Sequence, residues 1–571
     1  MFGRGLGQPA LFAIVYTAVA SAIYFSLGVV ADHALGLTPL VFLIAGLFFA
    51  LAAMTYAEGA ALHPERAGST VFARYGFNEL ISFVAGWAIL LDYVLLIAVT
   101  SFSATNYLAA FWSELGDGSE EIVLALAIIV YVAARNIGGF SKTRVNRVGA
   151  LVITDIGLQV LIIVLGLALF FDWHALVDPI DLGSQPETGE VIFALGVATV
   201  VFTGLESAAS IAGEVQTSRA ALKRLIGSAT AVVMVVYVGI ALVGLTAFPV
   251  HDGQTALASD DHLEAPVLAI AEHFHQAWLA DTLKYAVAIA ATATLIAAAN
   301  SAMLGLSRLA YSLSRNRQIP SALGRLHPTR STPFVLIAIA AVIAGALVIP
   351  EDLDLLVGIY AFGALLGLTI AHLSIIALRY REPDRERFYR VPLSVRFRGG
   401  DLPLPAVAGA VLSALAWVSV VITHSGARWV GLGWMAFGLA TYVIYRRTQG
   451  KSLRARVTVP EAALKMEREE LEYGSILVPL TGTPLDDDMI QTAGRLAGEE
   501  QDEGLERSTP TIEALWIFEV PMALPIDARL PEAQLETARA ALRRAKLVGE
   551  EYGGVEVATA TVRARRAGQA I

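Results

Sequence analysis

The sequence predicts an all-α polytopic membrane protein with a small α/β domain at its C-terminal end, on three observations. Of its 571 residues, 56% are apolar and only 16% are charged, a balance that no single soluble core of this length would show. Twelve apolar runs near the roughly 20 residues needed to cross a bilayer precede residue 446. Beyond Arg446 the chain turns charged, and short β-prone runs alternate with amphipathic stretches.

The spans are expected at 9–31, 38–60, 78–112, 121–137, 148–171, 190–214, 225–248, 283–307, 334–350, 355–379, 404–423 and 429–445. The first starts near Pro9 after one Arg and lacks a small-residue cleavage site, so a retained helix is expected. The connecting segments 32–37, 113–121, 173–189, 250–281 and 350–354 contain neither Lys nor Arg, and 424–428 has only Arg428. The alternate segments carry Arg66 and Arg74, then Lys142, Arg144 and Arg147, then Arg219, Lys223 and Arg224, then Arg315, Arg317, Arg325 and Arg330. A last basic segment runs from Arg379 to Arg398. Basic residues collect on the cytoplasmic side, so a multi-pass plasma-membrane protein with both termini inside is expected.

Residues 1–445 thus read as the membrane domain, 446–472 as a linker and 473–571 as the α/β domain. In the last, 475–480 reads as a buried strand, 481–484 as a turn, 486–499 as a helix, 511–520 as a strand, 531–552 as an amphipathic helix and 555–563 as a third strand. Such alternation argues for a parallel sheet, and with three strands the domain reads as incomplete at Ile571.

Several chemistries are excluded. With no cysteine there is no disulfide or thiolate metal site. No phosphate loop followed by Lys and Ser, no zinc spacing and no nucleophile elbow occurs. An enzyme or ATP-driven pump is not expected, nor a cofactor, a resident metal or a nucleic-acid partner.

The chemistry that remains lies inside the spans. Phe202, Thr203, Gly204, Leu205 and Glu206 combine a helix-weakening glycine with a carboxylic acid in an apolar helix. Intramembrane ionisable groups are functional-site hypotheses by default, because an uncompensated charge there costs at least about 2.5 kcal/mol. Asp92, followed by Tyr93, lies deep in the third span, and Asp155 lies in the fifth with Thr154 and Gln159 about it. Glu206, Asp92 and Asp155 are the candidate ion carriers. For the two aspartates an interhelical hydrogen bond is an equal alternative. In the eighth span Thr292, Thr294, Asn300 and Ser301 serve either close packing or cation ligation. His372 reads as hydrogen-bonded structure, and Tyr360, Phe362 and Phe202 read as packing or as gates.

Five motifs in order carry a family resemblance: Tyr56-Ala57-Glu58 with Pro64 and Ala67-Gly68-Ser69; Asn136-Ile137-Gly138-Gly139 with Ser141, Arg144 and Asn146; Phe202 to Glu206 with Glu214-Val215 and Arg219; Ser307-Arg308 to Thr332-Pro333; and Arg387-Phe388-Tyr389-Arg390-Val391-Pro392-Leu393. Together they resemble the amino acid-polyamine-organocation (APC) transporters over most of residues 10–445. The resemblance implies a 5+5 inverted repeat in which helices 1 and 6 are broken and form a substrate site near the midplane, with helices 11 and 12 added. Broken helices present free N–H groups to anions and free carbonyls to cations.

In the first span, Ala20-Ser21-Ala22-Ile23-Tyr24 aligns with the family's small-residue break, with Ala20 and Ala22 in place of glycines. Alanine favours helix by about 1 kcal/mol per position over glycine, so a break shorter than in relatives is expected. Many proton-coupled relatives place a lysine in the fifth span. None stands here, which leaves Asp155 as its candidate substitute. The implied function is secondary-active amino acid import by alternating access, with a proton as the expected coupling ion. Import of potassium or another inorganic cation is the first alternative, although Thr17 stands where such relatives carry an acid. A non-transporting sensor acting through the tail is the second. Ile476-Leu477-Val478-Pro479-Leu480 resembles the start of a universal-stress-protein domain. Thr481 replaces the usual Asp of its nucleotide-binding members, which weighs against a bound nucleotide.

Overall fold

The computed structural model describes residues 16, 19–62, 68–116, 118–139, 143–180, 185–201, 219–259, 262–328, 330, 332–383, 387, 389–397, 400–456, 475–483, 485–502, 511–550 and 556–570. The chain divides into two units, one formed by Leu6–Gly324 with Val335–Val457 and another that includes Thr458–Ile571.

The first unit is helical. Its first described helix is α1 (Ile23–Ala34), which ends where Leu35 takes a left-handed φ of 48° and the chain turns through Leu35–Leu37 into α2 (Thr38–Leu62). The short α3 (Ser69–Gly76) precedes α4 (Glu79–Leu108), whose N-terminus is capped by Asn78 accepting from the N–H groups of Leu80 and Ile81 at 3.0 and 3.1 Å. Then follow α5 (Gly118–Ile137), α6 (Thr143–Leu169), α7 (Thr188–Val201) and α8 (Arg219–Ala247). The sixth span, expected to run to 214, is described only as far as Val201.

Segment 250–281 differs from the loop expected from its lack of a long apolar run. It holds a hairpin of β1 (Val250–His251) and β2 (Gln254–Thr255) and a short helix, α9 (Pro266–Glu272), with Val267, Ile270 and Ala271 fully buried. Seven residues are too few to span a bilayer, yet Pro266 to Ala271 are all buried, so this short helix is enclosed by the unit on every side. The chain here comes so close to α1 that a Cβ on Gly28 would meet the Leu263 carbonyl oxygen at 2.4 Å.

The remaining helices are α10 (Ala277–Arg315), α11 (Phe334–Val348), α12 (Leu353–Arg381), α13 (Leu404–Thr423) and α14 (Ser425–Thr448). At 39 residues α10 is roughly 60 Å long. It overruns the expected 283–307 at both ends, because helical hydrogen bonding continues where hydrophobicity stops. Among the described residues six stretches are long and apolar enough to cross a membrane: Ile23–Ala60, Glu79–Leu108, Gly149–Leu169, Ala277–Arg315, Leu353–Arg381 and Leu404–Thr423.

Helix α4 is the axis of the unit, packed along α10 and α12. Gly363 permits the approach of α12, since a Cβ there would lie 2.8 Å from the Ala88 carbonyl oxygen and 3.1 Å from the Asp92 nitrogen. Helix α14 is locked to α4 by a reciprocal pair: the Trp87 indole donates to the Trp434 carbonyl at 2.8 Å, and Trp434 donates to that of Trp87 at 2.9 Å.

The C-terminal ends of α2 and α12 are tied by an ion pair in which Glu58 and Arg379 are each 1% exposed. Arg379 reaches both Glu58 oxygens at 2.5 Å, and the Val391 N–H donates to Glu58 at 2.7 Å. The motif residues around 58 and 387–393 are thereby one structure, and they seat an antiparallel hairpin of β3 (Ser394–Phe397) and β4 (Gly400–Pro403).

In the second unit, β5 (Ser475–Leu480), β6 (Thr511–Glu519) and β7 (Glu556–Ala564) form a parallel sheet in that order. Helices α15 (Leu485–Asp502) and α16 (Glu532–Gly549) connect them, and Ile490, Ile512, Ala514 and Val557 form the core.

Removing one partner of a buried ion pair strands the other charge, at a cost of about 3–5 kcal/mol. Glu58→Ala should therefore lower the thermal stability of the detergent-solubilised protein strongly, measured by temperature-scanned size exclusion. A loss of less than about 1 kcal/mol, the range of an exposed pair, would contradict this account.

Candidate functional site

The helical residues Tyr16, Val19 and Ala20 are followed by a turn at Ser21–Ala22, after which α1 starts at Ile23. The Ala22 N–H donates to the Val19 carbonyl at 3.2 Å and that of Tyr24 to Ser21 at 3.3 Å, three residues back rather than four. Regular four-residue spacing resumes with Ser26 to Ala22 at 2.9 Å. The interruption covers two residues.

A break in an apolar helix frees backbone groups that need partners inside protein. Two tyrosines supply them, Tyr237 from α8 donating to the Val19 carbonyl and Tyr107 from α4 donating to that of Tyr24 at 2.8 Å. Both rings are fully buried, and a buried phenol is stable there only with a partner for its hydroxyl.

Beside the break lies Asp155, from the middle of α6 and fully buried. Its Oδ1 accepts from the Tyr24 hydroxyl at 2.7 Å and from Thr294 of α10 at 3.1 Å. Its Oδ2 accepts from Gln159 at 2.8 Å and from Tyr16 at 3.1 Å. Gln159 also donates to the Tyr24 oxygen at 3.1 Å. Four donors suit an ionised carboxylate, and each is neutral, so the arrangement solvates the charge without cancelling it. Tyr16 and Tyr24 stand on either side of the break, so this one carboxylate bridges both halves of the interrupted helix.

The surroundings of Asp155 correct one expectation. Thr154 does not join it, because its hydroxyl bonds to the Ala150 carbonyl at 3.0 Å on an exposed face. Adjacent helical residues point about 100° apart, and only i+4 brings Gln159 beside Asp155. Of the eighth-span candidates, Thr294 meets Asp155, while Asn300 accepts from the motif residue Asn136 at 2.9 Å. Asp92 is buried on α4 where α12 crosses it, a different helix pair from α6 and α10. His372 is fully buried with Nδ1 2.8 Å from the Thr55 hydroxyl, a structural position. Phe362 packs on Trp417, with ring centroids 5.3 Å apart.

Ala20, Ser21, Ala22, Ile23 and Tyr24 are all buried at the break. Phe202, Thr203, Gly204, Leu205 and Glu206 lie outside the described residues. Sequence reasoning missed Tyr16, Tyr107 and Tyr237. The signal was a tyrosine within an apolar span, where a helix facing lipid would carry phenylalanine.

In the second unit, the loop after β5 turns its donors onto its own chain. The N–H groups of Thr481 and Gly482 and the Thr481 hydroxyl all donate to the Asp486 carboxylate at 2.7–2.9 Å. A carboxylate so placed occupies the donors that an anionic ligand of this loop would require.

A broken helix wrapped by long apolar helices, with a solvated acid beside the break, defines a membrane transporter of the broken-helix kind. A family model described as amino acid permease matches residues 6–444, and the chain belongs to that family, within the APC superfamily. It is 25% identical over 439 residues to a branched-chain amino acid permease of Bacillus subtilis, covering 72% of this chain and 86% of that protein. It is 27% identical over 403 residues to the vacuolar cationic amino acid transporter 2 of Arabidopsis thaliana, covering 67% and 61%. Among solved structures it is similar in fold to a mutant manganese transporter of Eremococcus coleocola, with TM-score 0.50 and 12% identity over 77% of this chain and 93% of that one.

If the Tyr24 hydroxyl helps to solvate Asp155, Tyr24→Phe removes one donor without changing the packing volume, a loss of about 1.5–3 kcal/mol for a bond to a charged group. The variant should fold, elute as wild type and show a substrate dissociation constant altered at least about threefold with a changed pH dependence, measured by isothermal titration. Wild-type affinity at every pH would contradict the role.

Proposed function

We propose that the protein is a secondary-active amino acid importer of the plasma membrane, driven by protons and working by alternating access. The single observation behind this reading is the Asp155 carboxylate, which accepts hydrogen bonds from Tyr16 and Tyr24 on the two sides of the first-helix break. Protonating Asp155 converts one oxygen from acceptor to donor, which forces at least one neighbouring hydroxyl to turn and so ties proton occupancy to the geometry of the break. The permease relatives support the amino acid as cargo.

In this reading the fold is a 12-helix, 5+5 inverted repeat with both termini cytoplasmic, a membrane domain over residues 1–445, a linker over 446–472 and a universal-stress-protein-like domain over 473–571. The substrate carboxylate is held at Ala20–Tyr24 and its ammonium group meets the partner break at Phe202–Glu206. Glu206 and Asp92 remain ion-coupling candidates beside Asp155. A second reading, import of an alkali cation, draws on the oxygen-rich lining of the same place, since Tyr16, Tyr24, Thr294 and Asp155 all present hard oxygen atoms.

Proteoliposomes with an imposed inside-alkaline pH gradient should accumulate an amino acid from a panel of branched-chain and cationic substrates, and should take up no rubidium tracer. Asp155→Asn should lose gradient-driven accumulation by at least about tenfold while retaining amino acid exchange without a gradient. Undiminished accumulation in Asp155→Asn would remove this residue from the coupling. Rubidium uptake without amino acid uptake would overturn the importer reading in favour of the second.

A further inference from the structure

At the end of the bundle away from the basic loops, a second group of titratable side chains joins α1 to α7 and α12, two helices that the Asp155 site does not reach. His33 lies in the last turn of α1, Glu190 in the first turn of α7 and Asp354 in the first turn of α12. His33 Nδ1 pairs with Glu190 Oε2, and its Nε2 faces Asp354 Oδ1 at 3.4 Å. Asp354 Oδ2 accepts from His424 Nε2 at 3.1 Å. Phe193 of α7 packs edge-on to His33 and flat on His424, with ring centroids 4.6 and 5.5 Å apart.

The two histidines differ in what they can hold. Nδ1 of His424 accepts the Ala427 N–H at 3.0 Å as the N-cap of α14, so by its hydrogen bonds this ring carries its one proton on Nε2 and is neutral. His33 has a carboxylate oxygen at each ring nitrogen. A neutral imidazole can donate at only one of them and would turn a lone pair towards the other carboxylate. One additional proton satisfies both contacts. Three helix dipoles favour the same state, because the C-terminal end of α1 stabilises a cation and the N-terminal ends of α7 and α12 stabilise anions.

The charges facing His33 are Asp32 on its own helix, Glu190 and Asp354, with the His424 ring beyond. On the adjoining segment His262 bonds to the Ala256 carbonyl at 2.8 Å and Glu272 pairs with Lys284 at 2.7 Å, so neither competes. The side chains of His33, Glu190 and Asp354 are 20%, 49% and 42% exposed, within reach of solvent protons.

We propose that a proton shared by His33, Glu190 and Asp354 latches the outer ends of α1, α7 and α12 together, and that its loss at alkaline pH releases them. This rests on the topology in which this end is extracellular, and it adds a proton site separate from Asp155. External acid closes the outer face and external alkali frees it, so the latch sets how readily that face opens while the inner acid carries the coupling proton.

The chain has no cysteine, which makes a single-thiol test direct. Ser26 is fully buried on α1, seven residues before His33 and so about 10 Å beneath it on the same helix face. A Ser26→Cys thiol would be labelled from outside by an impermeant methanethiosulfonate, with and without His33→Asn. Comparison at equal pH cancels the thiolate fraction. At pH about 5.5 the thiol behind the intact latch should react about tenfold more slowly than in His33→Asn, and by pH about 8.5 the two rates should converge, as histidine titration between these values requires.

Equal rates at the acidic pH, a gap that persists at the alkaline pH, or no labelling in either background would each overturn the proposal. Glu190→Gln gives a second reading should His33→Asn misfold. Its amide can donate to the neutral ring, so slow labelling should persist at alkaline pH, and wild-type pH dependence in that variant would also count against the latch. Labelling does not depend on transport. Amino acid uptake by the same vesicles therefore tests the importer reading separately, and either reading can fail while the other stands.

Discussion

A carboxylate buried inside the helical bundle, solvated by four neutral donors and placed against a broken helix, is the constraint around which the membrane unit is arranged. Burying Asp155 without partners would cost several kcal/mol, and its partners come from three separate pieces of chain: Tyr16 and Tyr24 flanking the break, Gln159 on its own helix and Thr294 on α10. Each donor fixes a helix register. The break is treated likewise, with Tyr237 of α8 and Tyr107 of α4 donating to the buried carbonyls of Val19 and Tyr24 on its two sides. Polar satisfaction thus explains why these five helices converge, where hydrophobicity alone would let them slide.

The unit is held differently at its two ends. At the C-terminal ends of α2 and α12 the contact is permanent in character: Glu58 and Arg379 are almost fully buried and bonded at both oxygens, with the Val391 N–H added. At the other end His33, Glu190 and Asp354 are partly exposed and short of one proton for complete pairing. A tight ion pair below and a titratable contact above suit a bundle that flexes about one end. Helix α4 is held to α12 by the close approach at Gly363 and to α14 by the Trp87–Trp434 exchange.

Much of this was legible in the sequence, for identifiable reasons. Helices that need long apolar runs declare themselves, so α4, α12 and α13 lie close to the spans expected from hydropathy. The place of the break at Ser21–Ala22 was marked by its run of small residues. The motif around Glu58 and that around Arg387–Leu393 were recognisable as strings, yet their meeting in one ion pair depends on packing between residues more than 300 apart. Helix α9 escaped because its apolar run is shorter than a membrane span, and β3–β4 because charged hairpin residues resemble any basic loop. Tyr16, Tyr107 and Tyr237 were hidden for a plainer reason: a tyrosine in an apolar run counts as one more hydrophobic residue until its hydroxyl is asked where it bonds.

The central claim is that Asp155 changes protonation as the break rearranges around substrate. Infrared difference spectroscopy of the purified protein, recorded on addition of the transported amino acid, reads that directly. The account predicts a carboxylic acid carbonyl band that changes on substrate addition and is absent from the Asp155→Asn difference spectrum. A substrate-induced spectrum with no carboxyl band, or one whose band survives in Asp155→Asn, would contradict it.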